Sequence, residues 1–222
     1  RQGVNLDATV NLSASPYHAH KAGVRIEVAR TAAKSLGHPF LLANQVGGND
    51  DLLFDGRSLI AWPDGQVLVS PAWQEGILIA DLAGPEYCEW IGQGVTTLLK
   101  ADEKLTFPKD DLLDAVVMGL SDYCAKSGIR KVVLGLSGGI DSAVAACIAS
   151  AAVGPSNVTG ISMPSRHSSD HSIEDAKWTA KALGINFEIT SIEHMHQSTE
   201  LTLEELLKNG NSVAAENLQA RL

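Results

Sequence analysis

The sequence predicts an α/β fold, and one local pattern that recurs three times is the basis of that prediction. Each time, a helical apolar stripe ends at a glycine and a short apolar run follows, which is the order of a helix, its C-terminal cap and a strand. The junctions are Leu36-Gly37, Ser127-Gly128 and Leu183-Gly184. Strands are predicted after them at 39–44, 132–136 and 187–190. Such alternation is typical of a sheet with helices packed on it.

The composition is that of a globular chain with an acidic surface. Of 222 residues, 45% are hydrophobic, and the formal net charge is −9. Nucleic-acid-binding proteins usually carry a basic patch, and the sequence has no basic cluster, so no nucleic-acid partner is expected. No apolar run approaches the length of a membrane span, and no signal peptide is recognisable, so no membrane association is expected.

The cysteines favour a reducing compartment. Cys88, Cys124 and Cys147 are far apart and form no CxxC pair, so we expect a cytoplasmic location without a disulfide framework or thiolate zinc site. Cys124 and Cys147 fall on apolar faces of predicted helices and are interpreted as core residues. Cys88 lies between Glu86 and Glu89, whose charges disfavour a reactive thiolate.

The histidines come in close pairs at 18 and 20, 167 and 171, and 194 and 196. No third residue of metal-ligand type accompanies any pair at helical spacing. We therefore interpret them as solvated loop residues.

The middle of the first half has the pattern of antiparallel strands. Predicted strands at 58–62 and 66–69 flank Pro63-Asp64-Gly65, a sequence that favours a tight turn, and a third strand is predicted at 77–82.

The domain boundary is placed in the segment that follows these strands. Its mixed polarity and its Gly84-Pro85 and Phe107-Pro108 punctuation indicate a linker at 83–107, between a first domain at 1–82 and a second at 108–222. The second domain is predicted to open with an amphipathic helix that starts at Pro108 and carries an apolar stripe as far as Cys124.

A candidate phosphate loop follows the strand that ends at Gly135-Leu136. The chain passes through Ser137-Gly138-Gly139-Ile140 into a predicted helix from Asp141 to about Val153, with Ser142 in its first turn. A helix start presents free backbone N–H groups, and glycines let the main chain approach a phosphate closely. The two serine hydroxyls add donors. No lysine follows as in a Walker A loop, and the glycine spacing is not that of a Rossmann fingerprint.

Asp141 is the unusual residue of this loop, because a carboxylate repels phosphate. A divalent cation between the two would reconcile them, and Mg²⁺ prefers such oxygen ligands, so Asp141 is the candidate metal ligand. The alternative is a tight strand-to-helix turn in which Asp141 caps the helix.

The loop resembles the Ser-Gly-Gly-x-Asp-Ser signature of the N-type ATP pyrophosphatases, which split ATP into AMP and pyrophosphate. That resemblance implies a doubly wound parallel sheet and an ATP site formed by residues 135–142. Met163-Pro164-Ser165-Arg166 is similar to the loop of NAD synthetases near the bound adenosine, which adds Met163 and Arg166 to the expected ATP site. Asn217-Leu218-Gln219-Ala220-Arg221 resembles the helix by which those enzymes approach deamido-NAD, which implies that Asn217 and Arg221 bind it.

The first half resembles the C-terminal part of a nitrilase-type glutaminase, an α-β-β-α sandwich. The resemblance rests on the segments 11–17, 44–50 and 54–56. Ser15 and Lys21 match positions that hold glutamine in that family, whereas the alternatives are a helix cap and a solvated lysine. The family's catalytic Glu, Lys and Cys lie before the segment at 11–17 and have no counterpart in this sequence, since we expect them upstream of Arg1.

Together the two resemblances point to the glutamine-dependent NAD synthetases. They imply Mg²⁺ and ATP, a deamido-NAD substrate that is adenylated and then amidated, and L-glutamine or ammonia as the nitrogen source, in a homo-oligomer. The first residue is Arg1, and the helical pattern at 214–222 has no stop signal, so we expect a fragment. The alternatives are a non-catalytic fragment or pseudo-enzyme that keeps nucleotide-binding surfaces, and another ATP-pyrophosphatase amidotransferase such as GMP synthetase.

Overall fold

The computed structural model describes residues 6–106, 108, 111–165 and 168–203. Its contacts divide the chain into two compact units, Arg1–Ser127 and Gly128–Leu222. The described helices include none with the length and hydrophobicity that a membrane crossing needs.

The first unit contains nine strands and two helices within its described residues. The strands are β1 (Thr9–Ser13), β2 (Phe40–Asn44), β3 (Val46–Asn49), β4 (Leu52–Asp55), β5 (Leu59–Ala61), β6 (Val67–Val69), β7 (Gly76–Ala80), β8 (Cys88–Gly92) and β9 (Thr97–Leu99). The helices are α1 (Lys21–Leu36) and α2 (Asp111–Lys126). The main sheet has the order β1-β2-β5-β6-β9, with β1 and β2 parallel and the other pairs antiparallel.

The core of this unit lies between α1 and the main sheet. Small and branched residues of α1 recur at helical spacing on one face, namely Ala22, Ile26, Ala29 and Ala33, and all four are buried. Ile26, Ala29 and Ala33 pack in one cluster with β2, β5, β6 and β9. Gly37 ends the helix in the left-handed region (φ +74°), and its N–H donates to the Ala33 carbonyl (2.9 Å). The predicted helix end, the strand at 39–44 and the antiparallel pair around residues 63–65 are confirmed.

The segment at 83–107, predicted as a linker, contains two strands. β8 pairs with β7 in a separate two-stranded sheet, and β9 adds to the main sheet beside β6. The division of the chain into domains at this segment stays a prediction. A further hairpin, β3–β4, was not predicted as strands.

Helix α2 packs on the β3–β4 hairpin of the first unit through small residues. A Cβ at Gly119 would lie 3.0 Å from Leu53 Cδ2, and Ala115 is fully buried. The predicted helix is confirmed, but its apolar stripe is wrong as the buried face at Leu112 and Leu113, which belong to the stripe and are exposed, whereas Cys124 at its end is buried. Small side chains let the helix approach the backbone of β3, which a stripe of leucines would prevent.

The second unit is a three-stranded parallel sheet with helical connections. Its described elements are β10 (Val132–Gly135), α3 (Ile140–Val153), β11 (Val158–Ser162), α4 (Asp170–Leu183), β12 (Asn186–Ile189) and α5 (Glu193–Thr202). The strand order is β10-β11-β12. The carboxyl ends of β10 and β11 therefore meet at one edge of the sheet, where ligands bind in open α/β sheets.

The predicted burial of one cysteine and the predicted loop location of the histidines need correction. Cys147 is exposed, because the buried side of α3 is formed by Ala146 and Ala149. Three of the histidines are not loop residues, since His171 lies in α4 and His194 and His196 lie in α5, where His196 is 4% exposed. Cys124 is buried as expected.

Candidate functional site

The phosphate loop has the predicted strand–loop–helix geometry. β10 ends at Gly135, and the Leu136 N–H donates to the Ile161 carbonyl (2.8 Å), so the chain remains joined to β11 up to the loop. α3 begins at Ile140, with Gly139 as its N-cap and no side chain capping the first turn. The N–H groups of this turn and the positive end of the helix dipole are thus available to an anion.

The two loop serines hold the loop in shape. The Ser142 hydroxyl accepts the Ser137 N–H (3.2 Å) and donates to the Gly139 carbonyl (2.9 Å). The Ser137 hydroxyl accepts the Gly139 N–H (3.3 Å) and lies 3.1 Å from that of Ser142. These contacts close the turn, and both hydroxyls can rotate to donate to a phosphate oxygen.

Gly138 is required by both backbone conformation and space. Its φ is +83°, and a Cβ at this position would lie 2.3 Å from the Ser172 carbonyl oxygen at the start of α4. No other residue type fits without displacement of the loop or α4.

A cavity of about 260 Å³ opens beside the loop at the ends of β10 and β11. Its wall contains the predicted site residues Gly135, Leu136, Ser137 and Met163. Pro164, also in the wall, accepts hydrogen bonds from Ile192 N–H (3.1 Å) and the Ser191 hydroxyl (3.2 Å), which fix the loop after β11. The structure thus brings the phosphate loop and the Met163 loop together around one cavity. Arg166, Asn217 and Arg221 lie outside the described residues.

Asp141 is the second residue of α3 and is exposed. Gly139 and not Asp141 occupies the N-cap position, so the alternative role of Asp141 as the helix cap is wrong. Within the described part of the chain, no three His, Cys, Asp or Glu side chains cluster as metal ligands. One carboxylate beside a phosphate loop fits a Mg²⁺ ion that takes its other oxygens from phosphates and water.

Ser15 and Lys21, the residues predicted to bind glutamine, lie in the loop after β1 and at the first position of α1. The Ser15 N–H donates to Asn44 Oδ1 (2.9 Å), and Lys21 Nζ donates to the Pro16 carbonyl (2.9 Å). Both residues are half-buried, and His20, not Ser15, is the N-cap of α1. The alternative of a helix cap for Ser15 is therefore wrong, whereas Lys21 is partly exposed and is held by its contact with the Pro16 carbonyl.

A buried network of ion pairs, in which positive and negative side chains alternate, lies next to these residues. Arg25 Nη2 donates to both Asp55 carboxylate oxygens (2.6 Å each), and Arg57 Nη1 donates to Asp55 Oδ2 (2.9 Å). Arg57 Nη2 donates to Asp111 Oδ1. These four side chains are at most 9% exposed and carry no net charge together. Each charge has an opposite partner, as burial of charges requires.

Asp111 is the last member of this network and accepts hydrogen bonds from two further groups. Tyr17 Oη donates to its Oδ2 (3.0 Å), and Trp73 Nε1 donates to its Oδ1 (3.2 Å). The Tyr17 and Trp73 rings meet edge to face with centroids 4.8 Å apart. Burial opposes the ionisation of Asp111, but hydrogen bonds and charge from Arg57, with hydrogen bonds from Tyr17 and Trp73, outweigh it and lower its pKa. Burial and the hydrogen bond to Asp111 raise the pKa of Tyr17 to about 12.

Two residues that donate to Asp111 have a positive φ, a backbone conformation that residues other than glycine rarely adopt. Arg57 has φ +46° and Trp73 has φ +59°. Each such position costs on the order of 1–3 kcal/mol and persists where surrounding contacts hold it. The contacts with Asp111 supply part of that compensation.

Sequence reasoning missed Arg25, Asn44, Arg57 and the role of Asp111. One signal was present, since Arg25 falls on the apolar face of α1, one position before the fully buried Ile26. A charged residue on such a face predicts a buried partner. The identity of that partner depends on the pairing of distant strands, which local patterns do not contain.

A parallel sheet whose first strand leads through a glycine–serine loop into a helix, with a cavity beside the loop, is the arrangement of α/β proteins that bind phosphate groups at a helix N-terminus. Comparison with protein families makes this more specific. The NAD synthase family matches residues 112–222, and the carbon-nitrogen hydrolase family matches residues 2–91. The chain belongs to the NAD synthase family. Its first part is a nitrilase-like segment, and its second part is an ATP-pyrophosphatase-type domain.

Individual relatives agree with this assignment. The glutamine-dependent NAD(+) synthetase of Synechocystis is 43% identical over 225 residues, which are 100% of this chain and 38% of the relative. The enzyme of that description from Rhodobacter capsulatus is 38% identical over 94% of this chain and 37% of its own length. A solved glutamine-dependent NAD+ synthetase from Acinetobacter baumannii, in complex with ADP, superposes with a TM-score of 0.78 at 31% identity, over 97% of this chain and 40% of that one. The chain thus spans about two fifths of the length of these relatives.

Proposed function

We propose that this chain is part of a glutamine-dependent NAD synthetase, a carbon–nitrogen ligase that converts deamido-NAD to NAD with ATP. The observation that carries the proposal is the phosphate loop, in which Gly138 brings the backbone against α4 and leaves the first N–H groups of α3 free. The similarity to the glutamine-dependent NAD(+) synthetases of Synechocystis and Rhodobacter capsulatus, and to the ADP-bound enzyme of Acinetobacter baumannii, supports the same reaction.

The loop would act on the pyrophosphate that leaves ATP. An oxygen of the nicotinate carboxylate attacks the α-phosphorus, the bond to the β-phosphate oxygen breaks, and pyrophosphate departs. The helix N–H groups and the hydroxyls of Ser137 and Ser142 are placed to stabilise the charge on the departing group. Mg²⁺, held by Asp141, would supply further neutralisation of the phosphates. Met163 and the Pro164 loop form the wall against the adenosine side, where Arg166 is also proposed to bind.

Ammonia then attacks the activated carboxyl carbon, and AMP leaves with one former carboxylate oxygen. A carboxylate alone is a poor electrophile at neutral pH, which is why activation must precede amidation. Asn217 and Arg221 are proposed to hold deamido-NAD. Ser15 and Lys21 are proposed to hold L-glutamine in the nitrilase-like segment, which supplies the ammonia. The spaced cysteines fit action in the cytoplasm, and the expected homo-oligomer stays a prediction.

An oxygen-isotope experiment tests the proposed reaction. The full-length protein is given Mg²⁺, ATP, ammonia and deamido-NAD with ¹⁸O in its nicotinate carboxylate, and the products are analysed by mass spectrometry. We expect NAD, pyrophosphate and AMP in equal amounts, with ¹⁸O in the AMP phosphate. Formation of ADP with labelled inorganic phosphate would contradict adenylation, and absence of NAD would favour the non-catalytic alternative.

A further inference from the structure

The segment Ser15–Tyr17 is held at nearly every polar atom of its backbone. The Ser15 N–H is bound by Asn44, and the Ser15 carbonyl accepts from Arg25 Nη1 (3.4 Å). Lys21 binds the Pro16 carbonyl, and the Tyr17 N–H donates to the Leu53 carbonyl (2.6 Å). The position of this segment therefore sets where Ser15 and Lys21 present their side chains.

Two contacts of this segment, one of its backbone and one of a side chain, lead to the same carboxylate. One route runs from the Ser15 carbonyl through Arg25, Asp55 and Arg57 to Asp111. The other is direct, from the Tyr17 hydroxyl to Asp111 Oδ2. Removal of the Asp111 charge would take away one of the carboxylates that Arg57 binds, and would thereby disturb Asp55, which binds both Arg57 and Arg25.

Asp111 is also the first residue of α2, and the part of the chain that the NAD synthase family matches starts at the next residue. The carboxylate that fixes the Ser15–Tyr17 segment thus belongs to the helix that begins the synthetase part of the chain. Five residues separate the end of α2 at Lys126 from the start of β10 at Val132, which leads to the phosphate loop.

We propose that Asp111 is a positioning residue for the glutamine site, which it holds in shape through Tyr17 and through the Arg57–Asp55–Arg25 chain. This inference rests on the proposed function, because it takes Ser15 and Lys21 as the residues that bind glutamine. The described residues that line the cavity beside the phosphate loop all belong to the second unit, whereas Asp111 belongs to the first. Its loss should therefore impair the use of glutamine and leave amidation with free ammonia intact.

Asp122 provides a matched control on the same helix. Its Oδ2 accepts the Gly48 N–H (2.8 Å) and lies 3.2 Å from Lys126 Nζ, which also donates to the Gly48 carbonyl. Asp122 thus attaches α2 to the β3–β4 hairpin, and Asp111 attaches the same helix to other parts of the unit. In the described structure, no hydrogen bond joins Asp122 to the Ser15–Tyr17 segment. A variant at Asp122 therefore weakens the attachment of α2 without a direct effect on the glutamine segment.

The experiment compares Asp111→Asn and Asp122→Asn in the full-length protein, with NAD formation measured against glutamine and, separately, against ammonia. Asparagine keeps the shape but exchanges an acceptor for a donor and removes the charge, so at least one of the three donors to Asp111 loses its acceptor and Arg57 loses an opposite charge. We expect Asp111→Asn to raise the KM for glutamine by on the order of tenfold to a hundredfold, as a displaced binding segment does. Ammonia-dependent kcat and KM should stay at the wild-type values, and Asp122→Asn should leave both nitrogen sources unaffected.

Equal effects of the two variants on glutamine use, or a wild-type KM for glutamine in Asp111→Asn, would overturn the inference. If Asp111→Asn does not fold, Tyr17→Phe decides, because it removes the hydroxyl and keeps the ring against Trp73. We expect it to raise the KM for glutamine by a smaller factor, and an unchanged KM would reject the proposal. A wild-type protein that makes no NAD from either source would refute the proposed function instead, so the two failures are distinguishable.

Discussion

Replacement of Gly138 by alanine is the perturbation whose effect on the phosphate loop can be estimated most directly from the structure. Alanine at φ +83° meets an unfavourable backbone conformation, and its Cβ would lie 2.3 Å from the Ser172 carbonyl oxygen. Ordinary carbon–oxygen contacts begin roughly 1 Å further apart. The neighbour is backbone at the N-terminus of α4, so it cannot swing aside as a long side chain would.

The expected loss of stability has two parts. The left-handed conformation costs an alanine about 1–2 kcal/mol. Relief of the overlap requires movement of the loop or of α4, and forced packing of one extra carbon typically costs about 1–3 kcal/mol. Gly138→Ala should therefore destabilise the second unit by roughly 2–5 kcal/mol.

Gly184→Ala separates these two parts. Gly184 caps α4 in the same unit at φ +69°, and a Cβ there would have no atom within 4 Å. It should lose only the conformational part, about 1–2 kcal/mol. Urea unfolding of both variants in the full-length protein measures the stabilities, and equilibrium binding of Mg-ATP measures the site. We expect weakened ATP binding in Gly138→Ala alone. Equal stabilities together with wild-type ATP binding in both variants would refute the described loop.

Two further predictions concern the first unit. Replacement of Lys21 by Ala, or of Ser15 by a bulky residue, should impair glutamine-dependent NAD formation and spare the ammonia-dependent reaction; equal loss with both nitrogen sources would count against their role. The raised pKa of Tyr17 contributes stability that is complete below pH 10 and lost as pH rises towards about 12, whereas the lowered pKa of Asp111 contributes stability that is lost in acid, below about pH 4. Tyr17→Phe should therefore unfold with a weaker dependence on alkaline pH than the wild type, as circular dichroism would show, and identical pH profiles would contradict the Tyr17–Asp111 hydrogen bond.

The phosphate loop could be predicted from sequence because its determinants are local. A strand, two glycines and a helix start lie within about a dozen residues, and each has a conformational preference of its own. The contact between Gly138 and Ser172 could not be predicted, because it joins residues 34 positions apart. Asp141 shows the intermediate case: its place in the first turn follows from the sequence, but only the structure shows that Gly139 is the cap.

The network around Asp111 could not be read from the sequence for the same physical reason. Its members come from α1, the end of β4, the loop after β6 and the start of α2, and Tyr17 is 94 residues from Asp111. The buried face of α2 was predicted wrongly because periodicity marks the larger side chains. Helix and hairpin approach closely at Gly48 and Gly119, so small residues form the contact.

The Asp141→Asn variant of the full-length protein tests whether a Mg-ATP site lies at the phosphate loop. Asp141 is not the cap, and its interaction with the helix dipole contributes about 0.3–1 kcal/mol, so the variant should fold. NAD formation is measured as a function of Mg²⁺ concentration, with free ammonia and with glutamine. We predict a loss on the order of a hundredfold or more with both nitrogen sources, because both share the adenylation step. A folded variant with near-normal turnover on ammonia and unchanged Mg²⁺ dependence would contradict the claim.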